Sequence, residues 1–594
     1  MLLVVGFLWI TLAHASCYGR SPAHPLPEYR RDDALLKRTF QSIDATIDTA
    51  VAASAFDRTS FSIEVTSSKE SLWSRHHTAR ERNASRPDIP IVNGDALYRI
   101  ASITKVFTTL GILYQHAAGN LSLDDPVTKY VEELEAKQKG TIPWKNITLR
   151  SLASQLSGIP RDFAQGDLIN QLSEFPYTPV DLGFPPVSRE GLPECDEYAP
   201  NYIPPCDEHG MKANCKDIST ANNISVDLLR ALKSKAPIFA PNQKSTYSNL
   251  AFEILGVVIE NVTGQSYESY INDAIFRPLG MTKSTFSKPP DSAGVIPLGP
   301  QYWDVDEGCQ NPTGGIYSSS VDLSKFLRYV LANYNGITHA LNWANPVSPS
   351  VGIYSLYGMP WEIMHTDKIL PDSGRMVRFI TKGGGLPGYT SIIVFVPEYD
   401  LGITILVAGD NEPDLMGKLR EIVTIRLVRA ADEIALQQLR ERYSGTFVSP
   451  ESNVNSTLSL QVDHRGLIIT AFVSNSTDVC SVFSEFLIRP DRPWYVQMIP
   501  TMLYRDEKEQ KGERWRFIFA EERIGKNQDV WDDFCLENVD GVRYADLAIF
   551  EAVFWDGPGK SVDTIELTGF RAKLVRDKQS GFQAGYEEQD VMEL

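Results

Sequence analysis

From Ile103 onward the apolar residues fall at Val106, Phe107, Leu110, Leu113 and Ala117 before Gly119. That i, i+3, i+4 stripe predicts a helix buried along one face. The same period runs through Leu36, Phe40, Ile43, Ile47 and Val51, and through Leu250, Ile254, Leu255, Val258 and Ile259 up to Gly264. The stretch TSFSIEVTSS reads as a strand, and two β-branched runs, 391–396 and 403–407, joined through Pro397 to Gly402, read as a hairpin. A long helix is expected from about Leu415 to Arg442. Strands at both ends of a region with helices between them describe an α+β unit whose sheet is completed by distant segments.

Beyond Tyr443 the period changes to two. Leu458, Leu460 and Val462 alternate toward a polar turn at Asp463–Gly466, and Trp515, Phe517 and Phe519 alternate in RWRFIFAE. With DTIELTGFRAKLV these predict short antiparallel strands, hence a smaller all-β domain at 443–594. It follows a first domain at 16–442, which is interrupted at 161–225 by a polar, Pro-, Asp- and Glu-rich excursion holding Cys195, Cys206 and Cys215. Loops of that length are commonly functional or disordered.

A chain of 594 residues exceeds one ordinary core, and its net charge of −18 argues against nucleic acid or an anionic membrane as partner, because both need clustered basic residues. The N-terminal MLLVVGFLWITLAHAS joins a short apolar run to Ala13-His14-Ala15, the pattern of a secretory signal cut after Ala15; no later run is long enough for a stable membrane span. Sequons at Asn83, Asn120, Asn146, Asn223, Asn261, Asn455 and Asn475 fit a glycosylated, secreted protein. Seven cysteines are few, so disulfides are expected as local staples, with Cys480 and Cys535 paired, Cys309 near the cysteine-rich segment and Cys17 left over. The nine histidines show no metal-ligand spacing, and no cofactor or metal is expected.

Three stretches carry candidate chemistry. In Ser102-Ile103-Thr104-Lys105 a helix places the lysine amine within reach of the serine hydroxyl, a nucleophile beside a proton acceptor. Taken alone, a helix cap followed by a solvated lysine accounts for it better. Tyr247-Ser248-Asn249 enters the helix at 250, where the tyrosine and asparagine face one cleft or simply pack and cap. Lys382-Gly383-Gly384-Gly385 runs toward the strand at 391, and glycines there let a backbone approach a ligand. A glycine-rich turn of no catalytic meaning is the plain alternative.

In this order, and with GNLSLDDPVTKYV, ITLRSLASQLSGIP, IFRPLGMTKSTF, PTGGIYSSSVDLSKFL and YGMPW between and around them, the stretches resemble the serine β-lactamase and penicillin-binding-protein-like superfamily. The branch is that of class C β-lactamases, esterases and D-aminopeptidases, and the resemblance covers about residues 30–435. It implies the β-lactamase/transpeptidase-like fold, an antiparallel sheet flanked by helices plus an all-helical part. It further implies Ser102 as the acylated nucleophile, Lys105 as its immediate proton acceptor and Tyr247 as partner in general-base work. Asn249 would hold Lys105 and the substrate amide, and Lys382 would be the basic residue of the family's K-T-G or H-T-G motif. The backbone N–H groups of Ser102 and Gly385 would form the oxyanion hole, with Gly383 and Gly384 beside the substrate. The all-β region beginning YSGTF resembles the accessory domain of secreted fungal β-lactamase-like proteins.

Two positions depart from the pattern. Gly383 stands where many relatives have a threonine whose hydroxyl binds a substrate carboxylate, and Gln155 stands where esterase-like relatives have histidine. The signals of class A enzymes for a carboxylate-activated deacylation water are absent. The expected partner is a small-molecule or peptide acyl substrate bearing an ester, amide or β-lactam carbonyl. Acyl transfer on the same residues, or non-catalytic peptide or cell-wall binding, are the competing readings.

Overall fold

The computed structural model describes residues 23–578 except 136–140, 163–167, 169–176, 189–231, 233–234, 334–342, 452–453, 489–491, 523–541 and 558–560. The expected signal segment, most of the 161–225 excursion, Asn223 and the cysteines at 17, 195, 206, 215 and 535 lie outside the described residues. The chain divides into two compact units, one made of Phe40–Thr366 with Arg378–Thr424, the other of Asp367–Val377 and the chain from Ile425 together with residues up to Thr39.

The larger unit is built on an eight-stranded sheet. Its strands are β1 (Ser60–Thr66), β2 (Ser71–His77), β5 (Ser348–Pro349), β6 (Ser355–Tyr357), β7 (Glu362–Thr366), β8 (Val377–Leu386), β9 (Tyr389–Val396) and β10 (Leu401–Ala408). A separate pair, β3 (Leu97–Arg99) and β4 (Tyr317–Ser319), forms a two-stranded antiparallel sheet of its own. The sheet order is β2-β1-β10-β9-β8-β7-β6-β5. The early strand β1 thus pairs antiparallel with the late β10, Ile63 opposite Ile405, the completion by distant segments that the pattern predicts. Every residue of β1 and β10 is buried. Both faces are covered, which is why these strands read as continuous rather than alternating apolar runs.

Helix α1 (Ala34–Val51), α2 (Thr104–Ala117) and α3 (Leu250–Thr263) match the 3.6-residue stripes, α5 (Glu412–Tyr443) is the expected long helix, and α4 (Ser320–Ala332) lies in a stretch for which no helix is predicted. Helix α4 packs on β1 and β10, whereas α2 packs against α3. The α2 contact is close because Gly111 has no side chain: a Cβ there would lie 3.1–3.3 Å from Tyr270, Ile271 and Ile259. Leu250, Ile254, Leu255, Val258 and Ile259 of α3 are all fully buried, and Gly264 ends the helix at φ 68°, a left-handed position suited to glycine.

The second unit closes a barrel from β11 (Gly445–Val448), β12 (Thr457–Asp463), β13 (Gly466–Ser474), β14 (Trp494–Asp506), β15 (Lys511–Glu521), β16 (Glu551–Asp556), β17 (Val562–Leu567) and β18 (Ala572–Arg576). Each strand pairs antiparallel with its sequence neighbours, and β18 returns to β11 through Phe447 opposite Arg576. Eight strands enclose just enough room for side chains, and Leu458, Phe472, Met498, Trp515, Phe517 and Phe554 form the buried cluster. Helix α6 (Val479–Leu487) adds a helical turn-out that the period-two pattern does not announce. It carries a correction too: Cys480 is a free, half-buried thiol, not the partner of Cys535, and burial pushes its pKa up to about 11.

Candidate active site

Ser102 sits in a 3-10 turn, Ala101–Ile103, between β3 and α2. Ala101 adopts φ 47°, a left-handed conformation that costs a non-glycine residue about 1–2 kcal/mol and needs support from its surroundings. That support is dense. The Ile100 amide donates to the Ile316 carbonyl at 3.1 Å, and the Ser391 hydroxyl of β9 donates to the Ile100 carbonyl at 2.8 Å. Beneath the turn Arg99, 1% exposed, donates to Glu307 at 2.8 Å and stacks over the Tyr317 ring at 4.4 Å.

One turn into α2, the Lys105 side chain is fully buried. Its Nζ lies 2.9 Å from Ser102 Oγ and 3.0 Å from the Thr313 carbonyl. A neutral amine there donates one hydrogen to Thr313 and keeps its lone pair for the serine hydroxyl. Burial, reinforced by the charge of Lys382, lowers the Lys105 pKa against the opposing pull of Tyr247. Burial alone would raise the Tyr247 phenol, but Lys105, Lys382 and a hydrogen bond with Ser102 outweigh it and leave its pKa below the ordinary value. Tyr247 in turn raises the pKa of both lysines, opposing the effect of burial. The two lysine nitrogens stand 5.1 and 5.3 Å from its ring centre.

Lys382 projects from β8 and is 1% exposed. It donates to Glu362 Oε1 at 2.7 Å and to the Gly383 carbonyl at 2.7 Å. Burial disfavours its charge, yet Glu362 and Tyr247 overcome this and hold its pKa above the usual lysine value. Gly384 backs directly onto the Ser102 turn: a Cβ there would lie 2.3 Å from the Ile100 carbonyl oxygen and 3.0 Å from the Ser102 nitrogen. The neighbouring Gly385 is exposed and opens onto free space.

The structure therefore brings Ser102, Lys105, Tyr247, Lys382 and the glycines at 383–385 together. Asn249 is placed otherwise than the resemblance implies. Its amide nitrogen donates to Asp162 at 2.5 Å, and its Oδ1 has no hydrogen-bond partner among the described residues. It does not hold Lys105, whose carbonyl partner is Thr313. Gly383 differs as well, because its N–H is taken by Glu362 Oε2 at 3.0 Å rather than left facing a substrate. Gln155, at φ 60°, accepts the Ser248 amide on its side-chain oxygen at 2.7 Å. It thereby fixes the backbone between Tyr247 and Asn249. Thr313, Glu362 and the Arg161–Asp162 pair escape the sequence reading. Thr313 acts through its carbonyl, which residue identity does not signal, and Glu362 reaches Lys382 from the adjoining strand.

Residues 47–425 match the family model described as Beta-lactamase. The chain belongs to the β-lactamase family. Residues 435–578 match a second model, the C-terminal domain described as Beta-lactamase-like-like. Similar proteins include a "Probable hydrolase M10" of a Phoma species, 32% identical over 95% of this chain and 92% of that protein. A "Probable hydrolase clz13" of Cochliobolus lunatus is 30% identical over 98% and 95%. A "Beta-lactamase-like protein" of Arthroderma benhamiae is 28% identical over 80% and 78%. The chain is a β-lactamase-like serine hydrolase in class, with its site in the first of the two matched regions.

Proposed function

We propose that Ser102 is acylated by an ester, amide or β-lactam carbonyl and then released by water. The observation that carries this reading is the buried Lys105 amine 2.9 Å from Ser102 Oγ, with the Tyr247 ring centre 5.1 Å from the same amine. Ser102 Oγ attacks the carbonyl carbon as its proton passes to the Lys105–Tyr247 pair. The oxyanion is met by the N–H groups of Ser102 and Gly385. The leaving group departs with a proton returned through Tyr247, and water repeats the sequence on the acyl-enzyme. The close backing of Gly384 on the Ser102 turn supports the placement of the two donors.

We read the protein as secreted. The leader-like N-terminus supports this, as does the exposure of Asn83, Asn120, Asn146, Asn261, Asn455 and Asn475. Intact-mass analysis with a slowly released aryl ester or a fluorophosphonate tests the chemistry. The wild-type chain gains one acyl or phosphonyl mass, mapped to the Ser102 peptide, and turns over ester. Ser102→Ala gains none and turns over none while unfolding at the same temperature. Turnover retained by Ser102→Ala, or an adduct mapped elsewhere, overturns the reading.

A further inference from the structure

Resting on Ser102 as the nucleophile, we propose that Glu362 is a specificity-determining residue that turns the β8 side of the site against acyl substrates carrying a carboxylate. Glu362 is the first residue of β7, the neighbour of β8 in the sheet. One of its oxygens binds Lys382 Nζ at 2.7 Å and the other binds the Gly383 N–H at 3.0 Å. The basic group and the backbone donor that would grip a substrate carboxylate are thus already occupied by one supplied by the protein. The side chain is still 35% exposed, so an approaching anion meets its charge.

The other cation facing Tyr247 is also matched. Arg161 stacks on the Tyr247 ring at 4.8 Å and pairs with Asp162 at 3.2 Å. Lys105 is held by burial toward the neutral amine. Gly383 completes the arrangement. A side chain at 383 would place its Cβ 3.5 Å from Glu362 Oε2, ordinary contact distance, so a threonine fits there directly beside the Glu362 carboxylate. The hydroxyl missing from this chain is therefore not enough to restore carboxylate binding while Glu362 is present.

The substrate class that follows is an acyl compound that is neutral or cationic where it lies against β8. The test uses 4-nitrophenyl esters of one acyl chain ending in a carboxylate, in its methyl ester, or in a trimethylammonium group. With the wild-type full-length chain, kcat/KM for the methyl-capped ester exceeds that for the carboxylate by about 10- to 100-fold, the range expected of like charges forced together, and the ammonium ester is no worse than the neutral one. Glu362→Gln lowers that preference about tenfold, and Glu362→Asp keeps it. Gly383→Thr alone leaves it within about twofold, whereas Glu362→Gln with Gly383→Thr reverses it.

A wild-type chain that hydrolyses the carboxylate ester as well as its methyl ester overturns the proposal without any variant, as does an unchanged ratio in an active Glu362→Gln. Ser102→Ala, run on all three esters, separates the two readings. Turnover surviving in that variant removes the nucleophile assignment, while its loss together with a flat charge series removes the role of Glu362 alone.

Discussion

Lys105→Met replaces a buried amine by an unbranched apolar side chain of similar length. It separates catalysis from folding. Without a proton acceptor on Ser102, kcat/KM should fall by about 10²–10⁴, the span of general-base contributions. Stability should move differently. The folded-state pKa of Lys105 is lowered by burial, so between that value and the unfolded one, about 10.4, the unfolded chain binds more protons and wild-type stability rises with pH. The penalty is complete below the folded pKa and vanishes above the unfolded one. Each pKa unit of lowering costs about 1.4 kcal/mol at neutral pH, and the methionine variant is relieved of it. Against this, the Thr313 carbonyl loses its donor at a cost of about 1–3 kcal/mol. The net shift at pH 7 is the difference between these two opposed contributions. Its pH dependence has a fixed sign: wild type gains on Lys105→Met as pH rises from 7 to 10.5. Thermal unfolding of both chains at several pH values, with ester hydrolysis at each, is the assay. A variant that gains on wild type with rising pH, or that hydrolyses ester within threefold of wild type, refutes the buried-amine argument.

Two further outcomes follow from the surroundings of the Ser102 turn. Gly384→Ala drives a Cβ to within 2.3 Å of the Ile100 oxygen and 3.0 Å of the Ser102 nitrogen. It should lower kcat about 10²–10³-fold, as for a displaced oxyanion donor, while Gly385→Ala, whose Cβ meets nothing within 4 Å, stays near wild type. Arg99→Met leaves Glu307 buried without its 2.8 Å partner and should cost about 3–5 kcal/mol in denaturant unfolding. The loss should deepen with pH, since burial raises the Glu307 pKa and the folded chain holds that proton longer than the unfolded one. Arg99→Met with Glu307→Leu recovers most of it.

The sequence by itself determined what is local. Ser102 and Lys105 meet because residues three apart share a helix face, and the lengths of α1, α2 and α3 follow from the apolar stripes that bury them. The β9–β10 hairpin is likewise written in two β-branched runs and the turn between them. The change of period after Tyr443 announced a second, β-rich unit, but not its closure, since the pairing of β18 with β11 joins strands from its two ends. Only the tertiary structure decided which carbonyl receives Lys105, that Asn249 turns to Asp162, and that Glu362 lies beside Lys382 and Gly383. Each of these contacts is set by sheet order, register or the approach of a backbone atom common to all residues. A one-residue slip between strands reverses every side chain, so no local pattern of residue types fixes such contacts before the chain has folded.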